Sequence, residues 1–152
     1  MKLIFLIATL LGYNSPHSNK QITIQDLIKM AAYNTDAFET HVLQNGFEYD
    51  TTVNYSEFDV LYYKKDGRFI SKSMGKSKEI KNVFYETFLK EEYASLKNGV
   101  TATGFKFVKS EKHEIDNDNT VYHVYRKSNS EIQFYTANRK RYLGYCIAVD
   151  IR

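Results

Sequence analysis

Any chemistry in this chain would fall to its histidines, its one cysteine and the carboxylates that sit in strand-like sequence. The histidines are His17, His41, His113 and His123. None is spaced as HxH or HExxH, and with one cysteine there is no CxxC, so the sequence holds no zinc-ligand pattern. His113 and His123 fall on neighbouring strands and could approach across a hairpin, but two ligands without a third rarely hold a metal. No metal or other cofactor is expected. Glu86 and Asp150 occupy matching places in the last strand of each half of the chain. As a general acid–base pair they would need one carboxylate in apolar surroundings to raise its pKa, whereas charged strand residues usually face solvent. Gly75-Lys76-Ser77 resembles the end of a phosphate-binding loop, yet the required upstream glycine is replaced by Ile70. The segment also lies between strands, without a helix N-terminus behind it, so it reads as a hairpin turn. There is no GxSxG elbow either. The chain is expected not to be an enzyme. The enzymatic alternative is a small periplasmic hydrolase using these carboxylates or His123.

Binding chemistry is better represented. The 152 residues include 13 Tyr and 10 Phe, with no Trp and one Pro. Most of the tyrosines lie in or beside strands. Tyrosine supplies contact area and one hydroxyl at low entropic cost, which suits recognition surfaces, although strand-rich domains also use it in a half-buried structural role. Tyr62, Tyr122 and Tyr135 are the candidate partner-binding residues. Cys146, in GYCIAVDI, reads as an inert buried thiol, and a lone cysteine allows no internal disulfide.

These side chains must be held by short helices and strands. Thr23 is a plausible N-cap for IQDLIKMAAY, with Asp26 three residues on. Asn34-Thr35-Asp36 starts a second helix, which Asn45-Gly46 ends. A third is marked by Phe88, Leu89, Tyr93 and Leu96, and Asn98-Gly99 stops it. Strands follow, with turns at Lys65-Asp66-Gly67, Met74-Gly75-Lys76, Asp116-Asn117-Asp118-Asn119, Ser128-Asn129-Ser130 and Asn138-Arg139-Lys140. Gly46-Phe47-Glu48-Tyr49 matches Gly104-Phe105-Lys106-Phe107, and Tyr62-Tyr63-Lys64-Lys65 matches Val124-Tyr125-Arg126-Lys127. The predicted fold is therefore α+β. It has two tandem repeats, over 19–87 and 88–152, each a helical segment followed by a four-stranded antiparallel sheet, in one globular domain overall. Strands such as Asp59-Val60-Leu61-Tyr62-Tyr63 are apolar on both sides. Helices would then cover one face of the sheet, and a partner or second layer would cover part of the other.

Residues 1–18 read as an export signal. Lys2 gives the basic start, Leu3 to Leu11 the apolar run, and Gly12 to His17 the break. That run is too short to span a bilayer, which takes about 20 residues, so no stable membrane anchor is expected. The formal charge is +3 for the whole chain, and Lys2 is lost with the signal. Such a balance is no nucleic-acid footprint. Arg139-Lys140-Arg141 is set against Glu111, Glu114, Asp116 and Asp118 in the neighbouring turn. Lys72, Lys76, Lys78 and Lys81 form a second basic group without an acidic match, which would suit an acidic partner, a membrane surface or ordinary edge protection.

The layout resembles the β-lactamase inhibitor protein family, in which tandem helix-plus-four-strand units form a continuous sheet whose aromatic concave face grips a partner protein. It also resembles small secreted bacterial proteins of unassigned function. A Tyr-rich duplicated sheet without a catalytic constellation, behind an export signal, reads as an exported, non-enzymatic protein-binding module, periplasmic or extracellular, of inhibitor or immunity type. Its partner would be another protein. A structural envelope subunit docking through a sheet edge is the remaining alternative.

Overall fold

The computed structural model describes residues 21–77, 79–115, 118–139 and 142–151. The expected export signal and His17 lie outside these residues, as do Lys78, Asp116, Asn117, Lys140 and Arg141.

Helix α1 (Ile24–Ala32) starts where its cap dictates. The Asp26 amide donates to Thr23 Oγ1 at 3.2 Å, and the Thr23 amide donates to Asp26 Oδ2 at 3.0 Å. This reciprocal pair satisfies two amides that the first turn leaves open. Helix α2 (Thr35–Gln44) is capped by Asn34, whose Oδ1 accepts from the Ala37 amide at 2.9 Å. Leu27, Met30, Ala31, Phe38 and Val42 form the buried stripes of the two helices. Helix α3 (Lys90–Gly99) begins later than the apolar pattern suggests. Phe88 and Leu89 precede it, because the Leu89 amide is held by Thr87 Oγ1 and the Phe88 ring packs against Tyr142 instead. Among the described residues no helix is long and apolar enough to cross a membrane.

The strands are β1 (Glu48–Asn54), β2 (Phe58–Lys65), β3 (Arg68–Gly75), β4 (Asn82–Thr87), β5 (Lys106–Ile115), β6 (Asp118–Lys127), β7 (Ser130–Arg139) and β8 (Tyr142–Asp150). They form one eight-stranded sheet in the order β1-β2-β3-β4-β8-β7-β6-β5, every pair antiparallel. This corrects the expectation of two tandem repeats, each with its own four-stranded sheet. The described residues are mostly a single sheet with three short helices, two of them before β1. The physical reason lies in β4 and β8. Val83 and Tyr85 point to one side of β4 and Phe84 to the other, and β8 is likewise apolar on both sides. Neither strand can serve as a solvated edge. They pair with each other from Asn82↔Asp150 to Thr87↔Tyr145 and fuse the halves at the centre.

All three helices pack on one side of the sheet. Tyr63, Ile70, Tyr85, Ile132, Phe134 and Ile147 meet them there, each fully buried. Two polar ties fasten this layer. Glu92 of α3 is buried and accepts from Arg68 Nε at 2.9 Å, Tyr85 OH at 3.0 Å and Thr87 Oγ1 at 2.8 Å. Lys72, also buried, reaches the end of α1, donating to the carbonyls of Ala31 at 3.0 Å and Asn82 at 3.2 Å. An ammonium there satisfies carbonyls that the last turn leaves open.

Candidate functional site

The opposite side of the sheet is covered by no described residue. Its composition is that of a half-buried surface. One row crosses the sheet through Tyr62, Ser71, Phe84, Ala148 and Gln133 to Val124. The adjacent row runs through Phe69, Glu86, Cys146 and Tyr135. A fully solvated antiparallel face alternates polar residues outward. Here aromatic rings stand over small residues, and Ser71, Val60, Cys146 and Val124 are buried although no second layer of described residues lies above them. Two connected cavities occupy the face. One, of about 570 Å³, lies among Tyr62, Phe69, Phe84, Glu86, Arg139 and Tyr142. The other, of about 390 Å³, shares Ser71, Ser73 and Phe84 with it and extends toward Ala148 and Asp150. At one end the rings continue outward, with Phe88 and Tyr142 centroids 4.0 Å apart and Phe69 5.9 Å from Phe88.

An ion pair whose carboxylate is buried sits at the centre of this face. Glu86 is 5% exposed, and its two oxygens accept from Arg139 Nε at 3.2 Å and from the second guanidinium nitrogen at 2.8 Å. This fork-to-fork geometry is the strong form of the contact. It raises the Arg139 pKa further above its ordinary value, chiefly through the hydrogen bond to Glu86. Gly144 on β8 leaves the room in which the Glu86 carboxylate lies.

The structure puts all three predicted tyrosines on this face but not in one cluster. Tyr122 and Tyr135 pack at a tilt with centroids 4.3 Å apart, and Tyr135 also meets Phe84 at 6.4 Å. Tyr62 lines the larger cavity, on β2. Four strand spacings, roughly 19 Å, separate β2 from β7. Burial raises the phenol pKa of each of the three.

The groups considered for catalysis are spread out. Glu86 pairs in register with Cys146, and Asp150 lies four residues further along β8, roughly 13 Å away. His113 faces the open side, where its ring meets Tyr122 at 5.2 Å. His123 pairs with Phe134 on the helix side and shares a 3.0 Å hydrogen bond with Ser110, while burial lowers its pKa. No two of the four stand within hydrogen-bond reach in one cleft. Among the described residues no group of three His, Cys, Asp or Glu is placed to hold a metal. Cys146 is fully buried, and its thiol is pushed up to about 12, first by burial and then by the Glu86 charge.

Several charge assignments need correction. Glu86 is not a solvent-facing strand residue. Arg139 answers Glu86 rather than the acidic turn opposite, where Glu111 is taken by Lys109 and by His113. The unmatched lysine group does not form either. Lys72 is buried in the core, Lys76 pairs with Asp59 at 3.2 Å, and Lys81 lies 3.7 Å from Glu79. Gly75-Lys76-Ser77 ends strand β3 and leads into β4 without an intervening helix. The sequence signals missed were Glu86, Arg139 and Gly144 acting together. The one available cue was a carboxylate in an otherwise apolar strand, NVFYET. Comparison with known families, curated proteins and solved structures finds no match for this chain.

Proposed function

We propose that this protein is a non-enzymatic binding module that holds a segment of another protein on the helix-free face of its sheet, and that it does so after export. One observation carries the reading. The face bears clustered, half-buried aromatic rings around two open cavities, where an antiparallel sheet that only met water would carry a polar row. Large exposed apolar patches on soluble proteins mark interaction surfaces. The scatter of titratable groups gives the hydrolase alternative no cleft to work in.

A photo-crosslinking amino acid tests this in the cells that make the protein. Placed at Tyr62 or Tyr122, it should yield one discrete covalent adduct. Placed at Thr40, exposed on α2, it should yield none. Adducts from the helical side with none from the sheet face would overturn the proposal.

A further inference from the structure

On the proposed reading of the sheet face as a partner groove, we infer that its occupant is an uncharged, apolar segment of the partner, and that the face is built to reject charged ones. The groove strands β2, β3, β4, β8 and β7 carry Lys64, Glu86, Glu131, Arg139 and Asp150 on the open side. Each one on the open side is already answered within the chain. Lys64 meets Asp50 at 2.6 Å, Glu86 meets Arg139 at 2.8 Å, and Glu131 meets Arg126 at 2.7 Å. Asp150 is engaged as well. On these five strands the groove therefore offers a ligand no charged side chain without a partner in the chain. A Lys or Asp entering it would lose water and find no counter-ion, and such an unpaired buried charge costs far more than it returns. An apolar side chain loses nothing comparable and gains contact with Tyr62, Phe69 and Phe84 in the larger cavity. The tyrosine hydroxyls supply hydrogen bonds that the peptide groups of an extended segment can meet.

Selection from a phage-displayed library of random short peptides on the immobilised protein tests this. The selected peptides should be rich in Leu, Val, Phe and Tyr and poor in Asp, Glu, Lys and Arg. Their binding should be lost in Tyr62→Ala and Phe84→Ala variants whose circular dichroism is unchanged. Affinity should move less than about twofold between roughly 0.05 and 0.5 M salt, since no exposed charge pair is made. Peptides that need Tyr62 and Phe84 yet share charged residues and bind salt-dependently would overturn this inference and leave the groove reading standing. Recovery of no peptide whose binding depends on those two rings would overturn the groove reading itself.

Discussion

The carboxylate of Glu86 lies directly over Gly144, in space that any side chain at 144 would need. A methyl group there would overlap Glu86 Oε1 and come within 3.0 Å of its Cδ. The two residues thus make one device. Glycine on β8 opens a notch, and the acid of β4 fills it while Arg139 neutralises the charge. Gly144→Ala must displace a carboxylate that is fixed from both sides. It should cost about 1–3 kcal/mol, the usual range for overpacking, measured by urea denaturation. Gly99→Ala is the control. At Gly99 a new Cβ meets only Ile24 Cγ2 at 3.5 Å, an ordinary contact, and a helical Ala for Gly should be neutral or stabilising. Equal losses at the two sites would sink the notch argument.

Arg139 and Arg126 each pair with a glutamate on the same face, yet the two pairs differ in burial. Glu86 is 6% exposed at its side chain and Arg139 44%, against 15% for Glu131 and 50% for Arg126. Removing Arg139 strands a buried carboxylate. Because the guanidinium retains water, the loss should fall below the fully buried case, at about 1–3 kcal/mol. Arg126→Ala should cost less than about 1 kcal/mol. Chemical denaturation of both variants decides it.

Much of the local structure was legible. Thr23 and Asp26 are the right types at the right spacing to cap a helix, and Asn34 and Gly46 bracket the next. In the last strand Tyr145, Ile147 and Val149 alternate with Cys146, Ala148 and Asp150, and that alternation survives as helix side and open side. Sequence spacing does not encode which strands meet. The β4–β8 pairing joins segments from opposite halves of the chain, and a repeat argument alone gives each half its own sheet. Glu86 and Arg139 stand 53 residues apart, so neither predicts the other. Lys72 was unreadable for a different reason. A lysine is assigned to solvent by default, and only the fold shows that the end of α1 presents carbonyls to it.

The tyrosines of the open face should separate in their effects. Tyr135 packs against Tyr122 and Phe84 beside Cys146, and its desolvation raises its pKa well above the ordinary value. Tyr62 lines a cavity and has less around it. Tyr135→Ala should therefore lower stability by about 2–4 kcal/mol, and Tyr62→Ala by less than about 1.5 kcal/mol. Thermal melts of the two variants should differ clearly. Similar melting temperatures would mean that the two rings are packed alike.

Cys146 should behave as a core residue. With its thiol at about 12, almost no thiolate exists near neutrality, and the thiolate is the reactive form. Ellman's reagent at about pH 8 should leave the native protein unmodified and label it stoichiometrically in denaturant. Prompt labelling of the native form would show that the open face is looser at β8 than its burial indicates.

Lys72 gives the fold a dependence on alkaline pH. Burial lowers its pKa from 10.5 to about 8, so the folded state holds its proton less tightly than the unfolded chain does. Between about pH 8 and the ordinary value, unfolding takes up a proton, and stability must rise with pH. Below about 8 the full cost of the buried ammonium is present, and the slope from this group vanishes. The rise ends near pH 9, where the unfolded Cys146 thiol ionises while burial holds it up to about 12 in the fold, and from pH 10 the buried Tyr63, Tyr85 and Tyr93, whose pKa values lie above 10.0, act in the same direction. Above that point the unfolded chain ionises first and the fold loses stability. The denaturation midpoint should thus increase from about pH 8 to about pH 9, level off, and fall above about pH 10. Lys72→Met, which keeps the stem and removes the charge, should abolish the rise and leave the fall. A wild-type midpoint that stays flat across that range, or a rise that persists in Lys72→Met, would show that the carbonyls of α1 hold this ammonium at its ordinary pKa.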